Sequence, residues 1–235
     1  MELKVLDDPL RACADAMFAA ARAGRRANIV LTGGSTPKPA YRLAVQDPGA
    51  FDGATFWFTD ERCVTPDDER SNYRMAREAL LDPLQAAGAQ SHCHRIEAEG
   101  GPAVAALGYE RLLRDAWPSG APAFDLVLLG IGPDGHTMSL FPGQPSVSER
   151  ERFVVGVPAA VLEPFVPRVS LTLSALGAAA RVIVLADGAR KADAVARAFG
   201  AGAVASPSVP ASMLAEVVAP GALTVLLDAA AAERL

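Results

Sequence analysis

The segment GIGPDGH at residues 130–136 places an aspartate and a histidine two positions apart among three glycines, directly after the apolar run 124–131. Imidazole gains and loses a proton near neutral pH, and a carboxylate beside it can fix which ring nitrogen carries that proton. His136 is therefore a candidate general base, with Asp134 as the residue that orients it or meets a substrate. Gly130, Gly132 and Gly135 allow the chain to bend tightly around the pair. A helical turn is expected to begin near Thr137, and its positive end would disfavour the imidazolium and keep His136 able to accept a proton. The competing reading is a histidine that only caps a turn.

Three other places carry chemistry of a complementary kind. In TGGSTPK at 32–38, Gly33 and Gly34 permit close backbone approach, Ser35 and Thr36 offer hydroxyls, and a following helix would present free N–H groups to a phosphate. An ordinary turn with Ser or Thr as N-cap and Pro37 in the first helical position would look the same. In FWFTDER at 56–62, Asp60 could hold a sugar hydroxyl or a histidine, and Arg62 could pair with Glu61 or with an anionic ligand. A solvated loop with one internal salt bridge is the plainer alternative. Arg168 has the planar fork for phosphate and Lys191 follows a strand at a helix start, although each alone could be a surface charge.

These residues need a frame that brings them to one edge. Apolar runs at 28–32, 55–59, 124–131, 181–186 and Leu223–Leu227 read as strands buried on both faces. Helix-like stretches lie between them at 37–45, 71–81, Pro102–Ala116 and 190–199, and an amphipathic helix at Pro9–Ala23 precedes the first run. Alternation of this kind predicts an α/β fold, a doubly wound and mostly parallel sheet with helices on both faces. Shorter strands at 153–157 and 168–173, separated by the proline-marked stretch 158–167, suggest a small β-containing subdomain. In such sheets ligands bind beyond the carboxyl ends of the strands, where all four segments fall.

The composition narrows the function. With 235 residues and 51% hydrophobic content, one domain spanning 1–235 is expected. A net charge of −5 and scattered aromatics argue against nucleic acid and against an anionic membrane surface, so an anionic substrate would need locally placed cations. The three cysteines, Cys13, Cys63 and Cys93, show no CxxC spacing, and MELKVLDDPL lacks the apolar core of a signal peptide. A soluble cytoplasmic protein without metal or other cofactor is the expectation. His92 and His94 share a face of a possible strand, but no further zinc ligands are apparent. No Gly-x-Ser-x-Gly elbow supports an attacking serine.

Taken in order, TGGSTP at 32–37, TDER at 59–62 followed by SNYRMAREALL at 71–81, GxGxDGHTxSLFP at 130–142, and PRVSLTLSAL at 167–176 resemble the glucosamine-6-phosphate isomerase/6-phosphogluconolactonase family, on its lactonase side. The resemblance implies a Rossmann-like fold, no cofactor, and hydrolysis of 6-phospho-D-glucono-1,5-lactone to 6-phospho-D-gluconate in the oxidative pentose phosphate pathway. It implies that His136 is the general base and that Gly33, Gly34, Ser35 and Thr36 form the sugar-phosphate loop. Arg168 and Lys191 match the phosphate-binding cations, and Asp60, Arg62 and Asp134 match polar residues lining the pocket. Met138 stands where the family usually has a small residue, which puts the width of the pocket in question. A deaminase or isomerase on the same fold, using Asp60 as a base at C2, is the rival; TMSLFP after His136 lacks the Asn-Glu-Pro associated with that chemistry.

Overall fold

The computed structural model describes residues 1–24 and 26–235. The apolar runs form β2 (Asn28–Leu31), β3 (Thr55–Phe58), β6 (Leu126–Gly130), β9 (Val182–Ala186) and β10 (Leu223–Leu227), joined at the edges by β1 (Glu2–Val5) and β5 (His92–Cys93). Every pairing among these seven strands is parallel, in the order β1-β10-β9-β6-β2-β3-β5. Ile29, Val30 and Leu31 are all fully buried, as are Leu126, Val127 and Leu129, because successive side chains point to opposite faces and both faces are covered. Strand β1 was not among the expected elements. It carries Glu2 and Lys4 on a mostly exposed edge, so no apolar run announces it.

The helices are α1 (Pro9–Ala23), α2 (Pro37–Ala44), α3 (Asn72–Ala76), α4 (Asp82–Ala86), α5 (Pro102–Ala116), α6 (Ala192–Phe199) and the single turn α7 (Leu214–Val217). Asp8 accepts the backbone N–H of Arg11 and starts α1, whose Cys13, Met17 and Phe18 are buried in the core. The helix expected over 71–81 runs on to Ala86, with a wide π turn at Arg77–Leu81 between α3 and α4. Pro83 lacks the N–H for the carbonyl four residues back, and a widened turn just before it accommodates the ring.

Strands β4 (Asp60–Arg62), β8 (Arg168–Leu171) and β7 (Val154–Val157) form a second, antiparallel sheet in the order β4-β8-β7. Asp60-Glu61-Arg62 is thus neither a strand end nor a solvated loop. Asp60 and Glu61 are each only 4% exposed, because the chain leaves β3 and pairs at once with β8 above the carboxyl edge of the main sheet. That edge carries the site. From β2 the chain proceeds outward to β3 and β5, and from β6 it proceeds the other way to β9 and β10, so the winding reverses between β2 and β6. The crevice at such a reversal is where open parallel sheets bind ligands.

Candidate functional site

The loop after β2 begins at Thr32, whose backbone N–H donates to Tyr41 Oη at 2.9 Å while that hydroxyl donates back to the Thr32 carbonyl at 2.8 Å. Tyr41, buried on α2, thereby fixes where the loop leaves the sheet. Gly33 lies against Asn72; a Cβ at residue 33 would overlap the Asn72 carboxamide, so glycine is required for the approach. Gly34 has φ +104°, the left-handed region that glycine enters without steric cost. Gly34 and Ser35 are exposed and Thr36 half-buried. Thr36 holds the N-cap position with helical dihedrals and makes no side-chain cap bond, so its hydroxyl does not engage the first N–H groups of α2.

Across the crevice, the turn after β6 holds the candidate base. Asp134 Oδ1 lies 2.6 Å from His136 Nδ1 and accepts the His136 backbone N–H at 3.1 Å. In the neutral ring that contact places the proton on Nδ1 and leaves Nε2 as the acceptor. Burial opposes ionisation of Asp134, but the hydrogen bonds from His136 outweigh it and hold the carboxyl below its usual range. Its contribution to stability is therefore present above the ordinary carboxylate pKa and lost as pH falls through the lowered value. No helix begins at Thr137. Residues Thr137 and Leu140 instead bridge across a tight turn, Thr137 Oγ1 donating to the Gly130 carbonyl at 3.0 Å, so a helix dipole plays no part and Asp134 does the orienting.

Two glycines make this geometry possible. A Cβ on Gly132 would strike the His136 ring and stand 2.7 Å from Asp134 Oδ1, and one on Gly135, which has φ +94°, would stand 2.8 Å from Val209 Cγ1. Gly132→Ala is expected to lower turnover at least tenfold, by displacing the ring from its orienting carboxylate, with little change in substrate KM; steady-state kinetics on the purified variant checks this. Met138 has φ +55° and is 6% exposed. Its side chain is packed with the apolar core, and its backbone forms a strained turn, costing roughly 1 kcal/mol, that redirects the chain after His136.

The second sheet contributes the cations. Register pairs Asp60 with Ser170 and Arg62 with Arg168, which sets all four on one face of the β4/β8 pair. Arg168 is 3% exposed, donates Nη2 to the carbonyls of Leu162 and Pro164 at 3.1 and 3.2 Å, and lies over the Phe141 ring at 5.2 Å. Phe141 also packs against His136, with ring centroids 4.8 Å apart, so one aromatic side chain joins the cation to the base. Burial, then the like charge of Arg62, lowers the pKa of Arg168, and Asp60 opposes them. Among the described residues, the buried Nε atoms of both Arg62 and Arg168 have no hydrogen-bond partner. A half-buried and a buried guanidinium in facing register, each with a free Nε donor, have the chemistry that suits an anion.

Arg62 does not pair with the Glu61 side chain. It donates Nη1 to the Arg70 carbonyl at 2.6 Å, while Glu61 accepts the backbone N–H groups of Arg62, Asn72 and Tyr73 and the Ser71 hydroxyl. Burial raises the pKa of Glu61 in spite of these donors. Lys191, at the N-cap of α6, is half-buried; burial and Arg190 lower its pKa, and the Asp134 charge raises it.

Contacts at the carboxyl edge thus link His136 with Asp134, Arg62 with Arg168, Lys191, and the Gly33–Thr36 loop from five different segments. Asn72, Tyr41 and Ser139, which brace these groups, were not singled out from sequence, because their roles rest on contacts between segments distant in the chain. His92 and His94 lie elsewhere, with Arg26, Gln90 and Cys93 in a cavity of about 640 Å³ near the starts of β3 and β5. His94 there stacks on Trp57 with ring centroids 4.4 Å apart. Among the described residues no helix is long and apolar enough to cross a membrane.

Comparison with known proteins agrees with this geometry. Residues 4–222 match the family model described as glucosamine-6-phosphate isomerases/6-phosphogluconolactonase. A 6-phosphogluconolactonase of Streptomyces coelicolor is 38% identical over 225 residues, covering 89% of this chain and 82% of the relative. The structure of 6-phosphogluconolactonase from Trypanosoma cruzi superposes with a TM-score of 0.82 at 30% identity, covering 100% of this chain and 96% of the other. A monomeric glucosamine-6-phosphate deaminase, at 19% identity, shares the fold with a TM-score of 0.82 over 100% of both chains. On the match over residues 4–222, this chain belongs to the glucosamine-6-phosphate isomerase/6-phosphogluconolactonase family.

Proposed function

We propose that this protein is a single-domain cytoplasmic enzyme that hydrolyses 6-phospho-D-glucono-1,5-lactone to 6-phospho-D-gluconate, the lactone-opening step of the oxidative pentose phosphate pathway. The observation that carries the reading is the 2.6 Å contact between Asp134 and His136 Nδ1, at the reversal of the sheet, with the buried Nε atoms of Arg62 and Arg168 left without a partner among the described residues. The named lactonases among its relatives support the substrate.

A lactone is an activated ester whose alkoxide stays tethered, so one water and one base suffice. His136 Nε2 takes a proton from water as the oxygen attacks C1, and the imidazolium returns that proton to the ring oxygen as the C1–O bond breaks. Asp134 stabilises the imidazolium and fixes the ring. Backbone N–H groups of the glycine-rich turns stabilise the oxyanion at C1. Arg168, Lys191 and the Gly33, Gly34, Ser35 and Thr36 loop grip the phosphate and turn remote binding energy into orientation of C1, with Arg62 and Asp60 lining the same pocket.

The test offers the purified protein freshly prepared lactone and, separately, glucosamine 6-phosphate. Acceleration of lactone opening above the spontaneous rate, without ammonia release, is the expected result. Ammonia release without accelerated lactone opening would transfer the assignment to a deaminase.

A further inference from the structure

The carboxyl group of Asp60 is 4% exposed and has no step assigned to it in this reaction. Both of its oxygens are already engaged. Ser139 Oγ donates to Oδ2 at 2.7 Å, and Thr59 Oγ1 donates to Oδ1 at 2.8 Å. Ser139 is the third residue after His136, on the strained turn that Met138 creates, and is fully buried. Thr59 Oγ1 in turn stands 3.3 Å from Thr32 Oγ1, in the residue before Gly33. The Asp60 backbone carbonyl accepts Asn72 Nδ2 at 2.9 Å, and Asn72 is the side chain against which Gly33 packs. A continuous hydrogen-bonded path therefore runs from the turn that bears the base, through Asp60, to the loop that faces the phosphate. The Ser139 backbone N–H is also tied to the second sheet, donating to Ser170 Oγ at 3.1 Å.

We propose that Ser139 and Asp60 form a clasp that sets the position of His136 relative to the phosphate loop, Asp60 acting as a positioning residue and not as a base toward the substrate. Each oxygen is held by a short hydroxyl hydrogen bond in a buried site, so the carboxyl group is fixed between two segments of the protein. The distance from phosphate to C1 is set by the substrate, so the distance from the phosphate loop to His136 must match it. A displacement on the order of 1 Å is enough to lower turnover about 100-fold without loosening the phosphate grip. The inference rests on the lactonase reading of the same site.

The experiment is a double-mutant cycle of Ser139→Ala, Asp60→Asn and the pair, measured as kcat and KM for the lactone, with thermal melts in parallel and Thr59→Val as a second way to remove one donor. Each single variant is expected to lose roughly 10- to 100-fold in kcat with KM within about twofold of the parent. The double variant should be no slower than the slower single, since both break one path. Additive losses, a rise in KM without loss of kcat at Asp60→Asn, or unchanged kcat in folded Ser139→Ala and Thr59→Val would overturn the clasp. If the unmodified protein itself does not accelerate lactone opening, the lactonase reading fails before the cycle begins; if it does and no coupling is seen, only the clasp fails.

Discussion

Replacing His136 with alanine is expected to lower lactone turnover by roughly 10² to 10⁴, while 6-phosphogluconate still binds within a few-fold of its original affinity. The asymmetry follows from the geometry. Among the described residues the His136 ring bonds to Asp134 and packs on Phe141; Arg168, on the same aromatic ring, is held independently by its bonds to the Leu162 and Pro164 carbonyls. Removing it deletes the proton acceptor and leaves the phosphate grip intact. Loss of kcat with preserved product binding, measured by steady-state kinetics and calorimetry, is the signature of a group that acts in the transition state. Undiminished turnover in a folded His136→Ala protein would exclude the role of base.

Arg168→Met should produce the opposite split. Its effect is expected mainly in KM, with a rise of roughly 10- to 150-fold, corresponding to the 1.5 to 3 kcal/mol of a hydrogen bond to a charged group. Methionine keeps much of the volume beside Phe141 and removes the fork. Two consequences for stability oppose each other. The Leu162 and Pro164 carbonyls lose a donor, yet Arg62 is relieved of a buried like charge in the facing position. The melting temperature of the free protein should therefore move little, whereas the rise produced by saturating 6-phosphogluconate should shrink markedly. A large fall in free-protein melting temperature with unchanged KM would make Arg168 a brace for the 158–167 segment and not a phosphate ligand.

Much of the frame was legible in the sequence because it depends on local, repeated features. Strands buried on both faces must be apolar throughout, so β2, β3, β6, β9 and β10 are visible as runs, and α1 and α5 end where they were expected to end. Strand β1 escaped because an exposed edge makes no such demand. The TDER segment was legible as chemistry but not as structure: three charged residues in a row suggest solvent, and only pairing of β4 with β8 explains the burial of Asp60 and Glu61.

The site divides along the same line. The residue types at 33–36, 60–62, 134–136, 168 and 191 suggested a base, a carboxylate partner and a phosphate grip, since chemistry constrains identity and sequence records identity. How His136 is held was only half visible, since Asp134 was expected either to orient it or to meet a substrate. The helix expected at Thr137 does not form, and the ring is oriented by Asp134 through a contact that depends on the absence of a Cβ at Gly132. Likewise the sequence by itself showed Asp60 as a carboxylate near a strand end, while the tertiary structure decided that Thr59 and Ser139 occupy both its oxygens. The reason is physical. Burial pattern and glycine placement are properties of a short stretch of chain, but the partner of a buried polar group is chosen by whichever distant segment packs against it.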